Sequence, residues 1–188
     1  MDRAAPKPIG VDWLQTLARR WPSALALLMA VVTWGSSPRA GLAQALLMFA
    51  LGYLVAAAIG RPRLTWLLAV GVVAALAVLR LQDRFDPFWV LLVAGVVVLS
   101  VGVLRRRPHA GLVLVEAGGV AMFAFVGIVA LAVDPEVGRI LLGVGWMSHA
   151  VWDLAHWWLD RVVSRSFAEW CGVFDLVGGV SILVLPLA

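Results

Sequence analysis

Residues 145–160 read GWMSHAVWDLAHWWLD, and after a short Arg-containing link residues 167–179 continue FAEWCGVFDLVGG. Advanced at about 100° per residue, His149, Asp153, His156 and Asp160 fall within about 60° of one another, which is one narrow stripe on a single helix. The rest of the stretch is Trp, Leu, Val, Ala and Gly, the composition of a membrane span. A polar stripe inside such a helix is costly, so it normally faces a partner helix, a water-filled cavity or a bound ion. The stripe therefore marks a site as well as a fold.

Composition extends that reading to the whole chain. Of 188 residues, 63% are hydrophobic and 14% charged, with a mean hydropathy of +0.97. Soluble domains average about 45–50% apolar and about 25% charged residues. The expected class is all-α: one polytopic membrane helix bundle over 1–188, with no separate soluble domain at this length. The net charge of +4 does not point to nucleic acid, because the basic residues sit in short links between apolar runs. Topogenic charge and attraction to membrane lipids account for it better. The single Cys171 excludes an intrachain disulfide and multi-cysteine zinc motifs. Arg greatly outnumbers Lys among 15 basic residues, a bias expected of a GC-rich bacterium and hence of an inner-membrane protein.

Apolar runs of bilayer length, about 20 residues each, place seven transmembrane helices at about 22–36, 41–60, 64–80, 88–104, 110–133, 136–158 and 168–187. Asp86-Pro87 and Asp134-Pro135 each offer an N-cap carboxylate followed by proline at the first helical position. Gly60-Arg61-Pro62-Arg63 and Arg105-Arg106-Arg107-Pro108 close the helices before them. Short joins make neighbouring spans antiparallel. Residues 1–21 are expected to be cytoplasmic. Val11, Leu14, Ala18 and Trp21 recur there at helical spacing among polar residues, which fits an interfacial helix. The run Ala24–Val32 also has the length of a signal-peptide core, and the reading adopted is that it is retained as a span.

Basic residues then orient the bundle. Eleven Lys and Arg fall on the side of the N-terminus and of the 61–63, 105–107 and 161–165 links. Four fall on the other side: Arg39, Arg80, Arg84 and Arg139. The positive-inside rule puts the N-terminus in the cytoplasm and the C-terminus outside. Asp160 then lies at the cytoplasmic surface, with His149 about 16 Å deeper at 1.5 Å per residue. By the same rise Asp175 lies about 10–12 Å down its span and Glu116 about 9 Å down its own. Three spans thus bring ionisable residues to one level of the cytoplasmic half. Gly118, Gly119, Gly145, Gly172, Gly178 and Gly179 lie around them and permit close helix approach.

The functional expectation is a divalent metal centre. Its ligands are drawn from His149, Asp153, His156 and Asp175, with zinc as the leading ion. Asp153 and Glu116 are the candidate catalytic carboxylates, and Trp146 and Trp152 the candidate walls of a substrate pocket. A metal ion with an open position activates water, and access from the inner leaflet suggests a lipid-like substrate. Two alternatives use the same residues. One is a small transporter or proton-coupled carrier. The other is an accessory or assembly subunit whose polar cluster is a structural network, with His149–Asp153 and His156–Asp160 as i,i+4 pairs. His109 and Cys171 read more simply as a loop residue and a small apolar filler.

The His149-x-x-x-Asp153 spacing resembles one motif of intramembrane CAAX-type proteases, but their paired glutamates and second histidine motif have no counterpart. A nearer analogy is the seven-span hydrolase superfamily of alkaline ceramidases and adiponectin-receptor-like proteins. These build a zinc site near the cytoplasmic face, yet their last-span H-x-x-x-H is missing here. The segment from His149 to Asp175 also resembles small uncharacterised multi-pass membrane proteins of actinobacterial type. That resemblance covers roughly the last 45 residues and implies no particular activity.

The charge asymmetry carries a first prediction. Topology reporters fused after Arg107 and after Ala188 will read opposite compartments, cytoplasmic and external respectively. The same compartment at both positions contradicts an odd number of crossings between Arg107 and Ala188 and with it the seven-span arrangement.

Overall fold

A computed structural model describes residue 15 and residues 18–33, 38–82, 86–104 and 110–185. The expected interfacial helix over residues 11–21 lies largely outside the described residues, as do Asp83, Arg84 and the link 105–109. The described chain is all-helical. Seven helices follow one another: α1 (Trp21–Thr33), α2 (Arg39–Ile59), α3 (Thr65–Gln82), α4 (Pro87–Leu104), α5 (Ala110–Ala132), α6 (Pro135–Leu159) and α7 (Arg165–Val184). A 3₁₀ turn, Pro62–Leu64, leads into α3.

The breaks are made by the chemistry legible in the sequence. Asp134 accepts hydrogen bonds from the amides of Glu136 and Val137 ahead of Pro135, and Asp86 accepts from the amide of Phe88 ahead of Pro87. Both satisfy amides that a helix start leaves without partners. Gly60 ends α2 in the left-handed region at φ 67°. Asp160 ends α6 in the same way at φ 49°, which is uncommon for a residue with a side chain. Arg139 reaches across to the last turn of α7 and donates to the carbonyls of Ile182 and Leu183 at 2.5 and 2.8 Å. A cation there meets the negative end of the helix dipole.

Contacts between helix ends show an up-down bundle. Arg20 pairs with Glu169 at 3.2 Å, Trp66 donates to Ser166, and Gly60, Leu112 and Val162 line one small cavity. These residues share one end of the bundle with Arg61, Arg63, Arg161 and Arg165. At the opposite end Gly138 lies against Arg39 and the carbonyl of Ala130, and Gly127 packs on Phe88 and Ala43. The described arginines are thus concentrated at one end. Four helices, α2, α4, α5 and α7, are long and apolar enough to cross a membrane. Of the others, α1 has 13 described residues, α3 spans Thr65–Gln82, and α6, the longest helix, carries the ionisable stripe.

The α6–α7 pair is the closest in the bundle, and glycine makes it so. A Cβ on Gly179 would stand 2.8 Å from the carbonyl oxygen of Gly143 and 2.6 Å from Met147 Cγ; one on Gly143 would stand 2.6 Å from Leu183. With no hydrophobic drive between helices in lipid, such contact depends on small residues. Replacing Gly179 by Val therefore costs about 1–3 kcal/mol, the usual penalty of overpacking. Reversible unfolding in mixed micelles will register it, while Val at Gly71, which has open space, will be tolerated.

Candidate metal centre

Three side chains from α6 and α7 converge inside the bundle. His149 Nδ1 lies 2.6 Å from Asp175 Oδ2 and 3.4 Å from Asp153 Oδ2, and all three residues are fully buried. The i,i+4 spacing of His149 and Asp153 brings both to one face of α6, and the glycine contact brings Asp175 of α7 opposite them. One donor atom from each residue lies within 4.8 Å of the other two, the dimensions of a metal cage.

Tyr53 of α2 supplies the next layer. Its hydroxyl donates to Asp153 Oδ1 at 2.5 Å, while its ring stands edge-on to His149 and His156 at 5.6 and 4.7 Å. A hydrogen bond of this kind fixes the orientation of a ligating carboxylate. Phe123 and Phe49 close over the His149 ring at 4.8 and 6.3 Å. Cys171, also fully buried, sits one turn before Asp175 on α7.

Three buried polar atoms in this group have no hydrogen-bond partner: His149 Nε2, Asp153 Oδ2 and Asp175 Oδ1. Leaving a buried polar atom unpaired costs about 1–3 kcal/mol, and more for a charged one. Two carboxylates this close in an apolar interior repel each other and lack water to screen them. A divalent cation bound among the three residues would neutralise that charge and use the open oxygens. One imidazole nitrogen with carboxylate oxygens suits Mn²⁺ and Fe²⁺ as well as Zn²⁺, so the donor set does not single out zinc.

His156 is not in this group. It turns to Glu116 of α5, with Nε2 2.8 Å from Oε1, and its Nδ1 lies 2.9 Å from the carbonyl oxygen of Trp152. Trp152 donates its indole N–H to the other oxygen of Glu116 at 3.3 Å, and its ring lies over Gly119. The expected ligand set thus divides into two neighbouring clusters. His149, Asp153 and Asp175 form one, and His156 and Glu116 form the other, with Tyr53 between them. The imagined pairing of His156 with Asp160 is replaced by this one. Asp160 instead lies half-exposed at the helix end, 3.3 Å from Arg165 Nε. Trp146 is fully buried and packs edge-on against Phe49 at 5.5 Å. It therefore supports the centre from the core side, while Trp152 holds Glu116.

Sequence reasoning passed over Tyr53, although a lone tyrosine in the middle of an apolar span is itself a signal. Comparison of the chain with protein families, with curated proteins and with solved structures finds no match. The chemistry of the site rests on its own geometry.

That geometry predicts a selective sensitivity. Tyr53→Phe removes the partner of Asp153 Oδ1 and leaves a buried acceptor unpaired, costing about 1–3 kcal/mol. Thermal denaturation of the purified protein will show the loss, whereas Ser100→Ala, at an exposed hydroxyl bonded within its own helix, will leave stability unchanged.

Proposed function

We propose that this chain is a multi-pass inner-membrane protein with a divalent metal centre at His149, Asp153 and Asp175. The observation that carries the reading is the convergence of two buried carboxylates and an imidazole with open lone pairs in an apolar bundle. Seven crossings, with a cytoplasmic N-terminus, follow if every helix of the up-down bundle traverses the bilayer. The segment from Arg20 to Arg39 supports this, because its two ends lie at opposite ends of the bundle although α1 alone is short. The metal would serve as a Lewis acid and a source of activated water. His156 and Glu116, nearer the arginine-rich end, would manage protons beside it. A lipid-like molecule entering from the cytoplasmic leaflet is the proposed substrate.

A second reading, a proton-coupled carrier, is favoured by one further feature. Tyr53, Asp153, His149 and Asp175 form a continuous chain of short polar contacts, and His156–Glu116 adjoins it through the tyrosine ring. Chains of ionisable groups of this sort serve as proton relays in membrane proteins.

Elemental analysis of protein purified without chelator separates the readings. The metal reading predicts about one equivalent of a divalent transition ion in the wild type and none in His149→Ala. Bound metal will be lost as pH falls, since protons compete for the histidine and the carboxylates. Asp153→Asn will lower metal affinity, whereas Asp160→Asn will not. A metal-free wild type together with a stable, unaltered Asp153→Asn variant would contradict the metal reading and leave a hydrogen-bonded network.

A further inference from the structure

One cavity lies outside the centre, on the face where α1, α6 and α7 meet. It has a volume of about 670 Å³. Its walls are apolar along most of its length: Val144, Val151 and Leu154 of α6 face Val173 and Leu176 of α7. Polar groups gather at one end, the arginine-rich end, where Arg20 and Ser23 meet Glu169. From Val144 to Trp157 the groove runs about 20 Å at 1.5 Å per residue, somewhat more than the roughly 15 Å that one leaflet contributes to a 30 Å hydrocarbon core.

We propose that this groove seats one acyl chain of a phospholipid from the leaflet at the arginine-rich end, with the lipid phosphate held against Arg20. The proposal deepens the lipid-substrate reading and rests on the bundle being membrane-embedded; it does not require the metal. Three features select an amphiphile with an anionic head. The charged groups of the groove sit at one end only, as an amphiphile's must, and the hydroxyl of Ser148 farther along is bonded to the Val144 carbonyl of its own helix. Its mouth carries Arg20, whose side chain is 60% exposed and so can meet a phosphate beside its pairing with Glu169. Trp157 lines the groove at that level with the Arg165 guanidinium 6.0 Å from its ring centre, the residue types that mark the headgroup boundary.

The groove also approaches the centre at one place. Gly172 forms part of its floor, and a Cβ there would stand 3.4 Å from Asp153 Cβ and 4.0 Å from Asp153 Oδ2, an oxygen with no hydrogen-bond partner. The absent side chain of Gly172 is thus the thinnest barrier between a lipid chain and the buried carboxylates. A bond held in the groove at that depth would lie nearest to the reactive group.

Photo-crosslinking tests the assignment. The full-length protein is reconstituted in nanodiscs containing a phosphatidylglycerol with a diazirine midway along one chain, and adducts are mapped by mass spectrometry. We expect adducts on Met147, Val151, Leu154 and Leu176 at severalfold the yield on Val93, Val96 and Val97 of α4, an ordinary exposed apolar surface. Gly172→Leu will lower groove labelling at least threefold. Should that variant fail to fold, Val151→Trp, at a highly exposed position, narrows the groove from outside and will do the same. Arg20→Ala will reduce labelling by the phospholipid while leaving α4 unchanged. Equal yields on the two surfaces would overturn the proposal in favour of bulk lipid contact. Equal labelling by a diazirine fatty acid, insensitive to Arg20→Ala, would overturn the phospholipid assignment. Groove residues protected from lipid and cross-linked instead to a second copy would make the groove a dimer interface. Metal content of the same samples keeps the outcomes apart: a groove without lipid beside a loaded centre refutes this proposal alone.

Discussion

Two carboxylates and an imidazole at zero exposure in an apolar bundle impose the constraint around which the rest is arranged. Removing an ion from water costs several kcal/mol even after the surroundings relax, and hydrocarbon offers nothing in return. The groups must therefore be satisfied by one another, by neighbouring helices, by protons or by a bound cation. Asp153 is met from α2 by Tyr53, and Asp175 from α6 by His149. The oxygens that remain open, one on each carboxylate, are what a cation would use.

Helix packing follows from the same need. α6 and α7 must approach closely enough for His149 to reach Asp175, and the Gly143–Gly179 contact sets that approach. α5 must come close enough for Glu116 to meet His156, and Gly119 yields the space that the Trp152 ring fills. Aromatic side chains then exclude lipid tails from the polar interior: Phe123 and Phe49 on His149, with Phe174 and Trp170 stacked beyond Phe49. Functional and structural roles are hard to separate here because one set of contacts serves both.

Much of this was legible in the sequence, for identifiable reasons. The Asp-Pro breaks and Gly60 reveal helix boundaries because capping is local chemistry. The angular stripe reveals that His149, Asp153 and His156 are inward-facing, since all three are buried on α6. Periodicity does not reveal which neighbour each one meets. His149 and His156 lie almost two full turns apart, far enough along the helix for different neighbours to claim them. Asp175 on α7 meets the first, and Glu116 on α5 meets the second. Tyr53 was invisible for a related reason: it stands a hundred residues from Asp153, and only the fold brings them together.

A crystallographic measurement shows most directly whether the buried triad is a cation site. Anomalous diffraction from crystals of protein purified with Mn²⁺ present should give a single strong peak inside the bundle. It should lie within about 2.3 Å of a His149 nitrogen and of oxygens from Asp153 and Asp175. His149 and Asp175 would be drawn apart from their 2.6 Å contact to admit the ion. A map with no peak there, and with the hydrogen bonds from Tyr53 through Asp153 and His149 to Asp175 intact, would contradict the account.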